Sequence, residues 1–342
     1  MNNSNYPTIL FVLVNHINSA GPYGGSKSGL LNSATMTANQ VHDYLHYNTV
    51  VVVVQDSNQV WKEIVKYKPD VCILEAIWVG PAKMQNLVEL YPDVIFITRV
   101  HSEIPFLANE GYAISWIKGL IAIKNSYVAF NSLATERQFF ALGYKPYYLP
   151  NIYSDVNDVI PQPSDKQDHI LDVGCFGSIR PMKNQLFQAM TAALYCNLHH
   201  LKLRFHINAS RVEQQGGSAL NNIRAFFEGT DHELVEHGWL ERDEFLKLVS
   251  TMDIGMQLSF NETFNIVSAD FIFEGIPIVV SPTISWMPKE SRAQFDSMED
   301  IMAKMQYCLQ RPVKVANDNI LALDKHNLDS IKSWKKVLRS LT

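Results

Sequence analysis

Short apolar runs alternate with stretches of helical periodicity along the whole chain. In the first half, Thr8–Val14, Val50–Val54, Asp70–Leu74, Val94–Thr98 and Ser126–Phe130 are compact hydrophobic segments, read as buried strands. Between them, Leu30, Leu31, Ala34, Ala38, Val41 and Leu45 recur at helical spacing, and Lys62–Tyr67, Met84–Leu90 and Leu133–Leu142 read as helices, the last capped by Asn131-Ser132. The second half repeats the alternation. Ile170–Phe176 is a strand, followed by a helix to about Asn197 with Leu186, Met190 and Leu194 turned inward. Leu203–Ile207 is a strand, Ala219–Phe227 a helix, Leu234–Leu240 a strand and turn, and Arg242–Met252 a helix. Ile254–Leu258 and Ile276–Val280 are strands that flank a helix carrying Phe264, Val267, Phe271 and Ile272 on one face and stopped by Gly275. Met298–Leu309 and Leu328–Leu341 are terminal helices. Strand–helix alternation of this kind predicts an α/β protein with parallel sheets covered by helices on both faces.

A chain of 342 residues is long enough for two domains, each with its own core. The polar stretch Ser154–Asp168, with Pro161 and Pro163, is the natural linker. Composition adds mainly exclusions. The chain is 47% apolar and 18% charged with a net charge of −5 and no Lys/Arg run, so nothing points to tight nucleic-acid binding. Cys72, Cys175, Cys196 and Cys308 lie far apart with no Cys-x-x-Cys pair, which suggests buried reduced thiols. No apolar stretch is long enough to span a bilayer, and Met1-Asn2-Asn3-Ser4-Asn5 lacks signal-peptide character. A cytoplasmic protein is expected, with peripheral membrane attachment left open, as is the choice between monomer and homodimer.

Candidate chemistry concentrates in the turns that follow strands, where ligands bind in open α/β sheets. The polar turn Asn261-Glu262-Thr263 leads into a helix through Phe264, Asn265 and Ile266, with a second acid at Asp270. The N–H groups of a helix start suit an anion such as a diphosphate, although two acids at this spacing also describe a solvated helix face. Gly177-Ser178-Ile179-Arg180-Pro181-Met182-Lys183-Asn184 places two cations between a strand and a helix; the plainer reading is two surface charges on a loop. His101 and Glu103 follow the fourth strand, and Glu110 closes a loop, Pro105–Gly111, with no assigned purpose. Trp239 either borders a ligand or belongs to the core. Gly21–Ser28 comes one glycine short of a P-loop, since Ser26 stands before Lys27, and Gln55-Asp56 after the second strand could be offered as its Mg²⁺ partner.

The Glu262/Asp270 spacing, followed by Glu274-Gly275-Ile276-Pro277-Ile278-Val279-Val280, resembles the signature of the retaining nucleotide-sugar glycosyltransferases of family 4. That signature has an acid, seven residues, a second acid, then a small residue, Gly, Pro and a β-branched strand. Gly177 and Lys183 are similar to the family's Gly-Arg-x-x-x-x-Lys turn, with Ser178 in place of Arg and Arg180 two residues on; Asp270 stands where Glu is usual. The resemblance is good over residues 170–282 and weak over 1–150. It implies a GT-B fold, two Rossmann-like domains with parallel sheets facing across a cleft. Residues 1–153 would form the acceptor-side domain, 154–168 the linker, 169–325 the nucleotide-sugar domain, and 326–342 a helix crossing back to the first domain.

The resemblance further implies transfer of a sugar from a nucleotide-diphosphate sugar with retention, without a metal or other cofactor, consistent with the lack of an Asp-x-Asp clamp. Lys183 and Arg180, with Gly177, Ser178 and the N–H groups of Phe264 and Asn265 near Thr263 and Ile266, would hold the diphosphate. Glu262 would take the sugar hydroxyls, Asp270 the ribose, and Trp239 would lie near the base. His101 and the Gly24-Gly25-Ser26 loop would serve the reacting sugar and the acceptor, with His101, Glu262 and Lys183 as the catalytic set. The acceptor stays open among a glycan, a lipid-linked sugar, a small molecule and a modified nucleic-acid base. The rivals are a nucleotide-sugar epimerase or hydrolase on the same scaffold, a non-catalytic nucleotide-sugar-binding protein and, last, a P-loop nucleotide triphosphatase.

Overall fold

The computed structural model of the chain describes residues 6–15, 29–154 and 169–341. Gly24, Gly25 and Ser26 and nearly all of the expected linker lie outside the described residues. The chain divides into two compact units, one made of residues up to Ser154 together with those from His326 on, the other ending at Lys325.

The first unit holds β1 (Thr8–Val14), α1 (Gly29–Leu45), β2 (Asn48–Val54), α2 (Val60–Tyr67), β3 (Val71–Glu75), α3 (Pro81–Leu90), β4 (Ile95–Val100), α4 (Ile104–Leu107), α5 (Ala113–Ile121), β5 (Ser126–Phe130), α6 (Leu133–Ala141) and β6 (Tyr147–Tyr148). Its six strands are parallel in the order β2-β1-β3-β4-β5-β6. The strands are apolar without alternation because both faces are covered. Leu10 and Val12 join Cys72, Leu74 and Phe96 in a core with α2, α3, α5 and α6, while Ile9 and Phe11 join Ile73, Ile97 and Ala129 in another with α1. The second core is completed by Trp334, Val337 and Leu338 from the C-terminal end of the chain.

The second unit holds β7 (Ile170–Gly174), α7 (Gln185–Leu198), β8 (Lys202–Asn208), α8 (Gly216–Phe227), β9 (Glu233–His237), α9 (Arg242–Val249), β10 (Ile254–Gln257), α10 (Ile266–Phe273), β11 (Ile278–Val280), α11 (Met298–Gln310) and the start of α12 (Pro312–Leu341). The sheet order is β11-β10-β7-β8-β9, again parallel. Strand order reverses between β1 and β3 in one sheet and between β7 and β10 in the other. Such switch points open a crevice at the carboxyl ends of the strands.

Three expectations change. The inner face of α7 is Ala189, Ala192, Ala193 and Cys196, whereas Met190 and Leu194 are more than a third exposed. This helix is apolar around most of its circumference, so periodicity did not choose a face, and the small residues allow the closer approach to the sheet. The Pro105–Gly111 stretch begins inside the short helix α4 and continues as a turn that leads into α5. The last helix starts at Pro312, not Leu328, and runs for 30 residues as α12; proline is well placed in the first turn of a helix. All four cysteines are free and buried, and burial pushes their thiols up to about 12.

Candidate functional site

The switch point of the second sheet is built on two glycines. Gly174 of β7 and Gly255 of β10 are register partners, and a Cβ on either would come within 2.7 Å of the Phe271 ring. Their bareness lets α10 lie directly on the sheet. Beyond β7 the chain turns through Gly177 at φ +115, a conformation that favours glycine. The Gly177 N–H is fixed by Asn208 Oδ1 at 2.9 Å, and Asn208 Nδ2 in turn donates to the Gly238 carbonyl at 3.2 Å.

The loops after β7 and β10 are stitched together. Phe260 N–H donates to the Met182 carbonyl at 3.0 Å. Asn184, left-handed at φ +55, donates Nδ2 to the Phe295 carbonyl at 2.8 Å and the Leu258 carbonyl at 3.3 Å. Gln188 donates to the Lys183 carbonyl at 2.7 Å and accepts from Leu258 N–H at 3.0 Å. Gln257 spans from the Phe176 carbonyl to Asn265 Nδ2, each at 2.9 Å.

This frame brings together the residues on which the sequence reading concentrated. Lys183 Nζ meets the Glu262 carboxylate in a hydrogen-bonded ion pair, and both side chains are nearly buried. Burial works to raise the Glu262 carboxyl, but Lys183 and Arg180 outweigh it and hold the group below the usual carboxylate range. Arg180 also faces Glu213, with Nη1 to Oε2 at 3.8 Å, and Arg211 pairs with the same carboxylate. The Arg211 guanidinium lies 4.8 Å from the centroid of the Trp239 ring, so the expected base-side tryptophan carries a cation on its face. Ser178 offers its carbonyl to Gln185 Nε2 at 3.4 Å.

The helix start needs correction. Asn265, at φ +58, is the N-cap of α10, and its Oδ1 accepts Ser268 N–H at 2.9 Å. A short amide side chain tolerates the left-handed conformation and competes for the helix end. The first-turn N–H groups of α10 therefore belong to Ile266 and Val267, not to Phe264 and Asn265. Phe264 is instead buried against the Trp286 ring, and its carbonyl accepts Trp286 Nε1–H at 2.9 Å. Asp270 is buried on α10 and bound to Arg242 at 2.9 Å. Arg242, at the start of α9, was missed in the sequence. Thr263 is half-buried in the loop between Glu262 and the cap.

In the first unit, His101 follows β4 and its ring is 14% exposed. Its Nε2 hydrogen-bonds Glu75, the wholly buried last residue of β3, while Nδ1 lies 3.3 Å from Asn131 Nδ2. Arg99 of β4 donates from Nη1 to both Glu75 oxygens at 3.0 and 3.1 Å. Burial works to raise Glu75, but Arg99 and His101 hold it below the ordinary carboxylate range. Burial and Arg99 together outweigh Glu75 at the imidazole, which is pushed below its usual value. Glu103 accepts Ser132 Oγ–H at 2.7 Å. Glu75 and Arg99 were not singled out in the sequence. Two opposite charges closing adjacent buried strands have to pair, but that β3 and β4 are neighbours is known only from the fold. Asp56, weighed as a Mg²⁺ ligand, caps the turn Ser57–Gln59 beyond the edge strand β2, accepting Asn58 N–H at 2.6 Å.

No protein-family model matches the chain, and a search of curated proteins finds no match. Solved structures do match over nearly the full length. The N-terminal domain of a Candida albicans trehalose-6-phosphate phosphatase superposes with a TM-score of 0.70 at 8% identity, covering 98% of this chain and 99% of that one. A sucrose-phosphate synthase from Thermosynechococcus elongatus gives 0.67 at 11%, covering 98% and 99%. An Escherichia coli structure described as trehalose-6-phosphate bound with UDP-2-fluoro glucose gives 0.63 at 11%, covering 97% and 98%. The fold is GT-B: two Rossmann-like α/β units with parallel sheets of six and five strands.

Proposed function

We propose that the protein is a glycosyltransferase that moves a sugar from a nucleotide-diphosphate sugar to an acceptor, with retention of configuration and without metal. One observation carries this reading: Lys183, Arg180 and Glu262 converge at the β7/β10 switch point, between two loops tied to each other by backbone and amide hydrogen bonds. The leaving group of such a reaction is a nucleoside diphosphate, and preset cations lower the barrier to its departure. Lys183 and Arg180 would take the diphosphate together with the Ile266 and Val267 N–H groups. Glu262, released from Lys183 as the phosphates arrive, would take the sugar hydroxyls. Asp270 would reach a ribose only by sharing or leaving Arg242. His101 is the candidate catalytic group of the first unit. UDP-glucose is the first donor to try, since one structure sharing this fold is described with a fluorinated UDP-glucose.

The test is a thermal-shift screen against UDP-, GDP-, ADP- and CMP-sugars in EDTA. A ligand at 100 times its dissociation constant stabilises by about 2.7 kcal/mol. A shift with one nucleotide sugar, absent in Lys183→Ala, supports the donor site. A requirement for Mn²⁺ counts against metal independence, and remodelling of the free nucleotide sugar without transfer would favour the epimerase. A shift only with ATP and Mg²⁺ would revive the P-loop reading.

A further inference from the structure

Glu75 and Arg99 are register partners on β3 and β4, and neither side chain is exposed. An ionised carboxylate at that depth has to be paired and held. Arg99 does both, and is itself immobilised. Its Nε donates to the Leu149 carbonyl at 2.9 Å, its Nη2 donates to Asn151 Oδ1, and its guanidinium lies 5.3 Å from the centroid of the Trp334 ring. The backbone beside Glu75 is equally set: Ala76, at φ +74, donates to the Arg99 carbonyl at 2.9 Å, and the Glu75 carbonyl accepts Trp78 Nε1–H at 2.9 Å. Glu75 therefore presents Oε2 to His101 in one orientation. An ionised carboxylate only accepts hydrogen bonds, so the proton lies on His101 Nε2. The lone pair of the neutral ring is then on Nδ1, where the Asn131 amide stands at a distance that makes a weak hydrogen bond. An ion pair serving packing alone would be complete with Arg99. Glu75 instead also fixes a partly exposed histidine at the carboxyl end of the sheet, where ligands of such folds bind.

We propose that Glu75 is the positioning residue of His101, holding the ring as its Nε2–H tautomer so that Nδ1 accepts a hydrogen bond from a hydroxyl of a bound sugar in place of the Asn131 amide. The identity of that hydroxyl rests on the glycosyltransferase reading; the tautomer does not. His101 then orients a substrate hydroxyl.

The test is ¹⁵N NMR of the full-length protein labelled in its histidine rings, with His101→Asn supplying the assignment. The expected spectrum has a protonated Nε2 and a bare Nδ1 at about pH 8, where the imidazole is neutral, with the preference lost in Glu75→Gln. A wild-type ring protonated on Nδ1, or a folded Glu75→Gln with an unchanged tautomer, overturns the proposal. Should Glu75→Gln fail to fold, the wild-type spectrum decides. The second readout is release of nucleoside diphosphate from whichever nucleotide sugar stabilises the protein. Glu75→Asp keeps the charge but withdraws the carboxylate; it should lose turnover roughly tenfold or more, with the nucleotide-sugar thermal shift unchanged. A folded Glu75→Asp with wild-type turnover overturns the positioning role. If no nucleotide sugar binds the wild type, the glycosyltransferase reading falls, and the tautomer still decides for or against Glu75.

Discussion

Lys183 and Glu262 illustrate what one buried ion pair does to a substitution experiment. In Lys183→Ala the Glu262 carboxylate keeps its burial and loses its main counter-charge. The variant should therefore lose donor binding and also about 1–3 kcal/mol of stability at neutral pH. The sign of its pH dependence follows. In the wild type the Glu262 carboxyl is held below its usual value, so its contribution is present above about pH 4.5 and lost on acidification. In Lys183→Ala burial raises the same group, so the stability gap between variant and wild type should shrink as pH falls toward 4. Denaturant titrations at pH 7 and pH 4 check this; a gap that is equal or wider at pH 4 rejects the pairing. The candidate site was legible in the sequence to the extent that charge followed strands. Lys183, Arg180, Glu262 and His101 could be singled out because polar residues beyond apolar runs stand out. Their partners could not. Asn184, Gln188 and Asn208 work by geometry that no local pattern announces, and Glu75 is hidden at the end of an apolar run.

At the scale of elements, strand and helix positions followed closely from apolar runs, because parallel strands covered on both faces leave an unmistakable signal. Facing choices did not, as the inner face of α7 shows. Close approaches were also hidden, since a strand glycine reads as a weakness until the ring that needs the space is known. That need predicts Gly255→Ala to destabilise the second unit by about 1–3 kcal/mol, because a Cβ there meets Phe271 at 2.7 Å and Ile278 at 2.9 Å. The displaced α10 should weaken nucleotide-sugar binding as well. Urea titration and the thermal-shift screen read the two effects; a fully stable variant would mean that Phe271 turns aside. Helix α12 gives a second element-scale prediction. His326 hydrogen-bonds the Asn151 carbonyl at 3.0 Å, and burial pushes its imidazole down to about 4. A depressed folded-state value means that the unfolded chain binds the extra proton. The stability due to a neutral His326 is thus complete above about pH 6.5 and lost as pH falls toward about 4. His326→Gln should lower stability at neutral pH yet show a shallower decline across that window. An identical slope in both proteins would exclude His326 as the titrating group.

For the molecule as a whole, the first unit is finished by residues that come last in the chain. Trp334, Val337 and Leu338 fill the face of the sheet shared by Ile9, Phe11, Ile97 and Ala129. Trp334 also donates Nε1–H to the Pro150 carbonyl at 2.8 Å, Ser333 Oγ donates to the Tyr148 carbonyl at 2.7 Å, and Asn327 exchanges hydrogen bonds with the Tyr153 backbone. Loss of a buried tryptophan alone costs about 3–5 kcal/mol, a large part of the about 5–15 kcal/mol that holds a domain together. The second unit needs none of these residues: its core, from Leu171 to Val315, closes before Lys325. A chain ending at Lys325 should therefore lose the cooperative unfolding of the first unit and keep that of the second. It should also keep the nucleotide-sugar shift, because Lys183, Arg180 and Glu262 all belong to the second unit. Calorimetry with and without the nucleotide sugar separates the possibilities. One remaining transition that still rises with ligand places the donor site wholly on the second unit. A remaining transition that ignores the ligand would show that Lys183 and Glu262 need residues of the first unit to bind it, and two intact transitions would show that the first unit folds without Trp334.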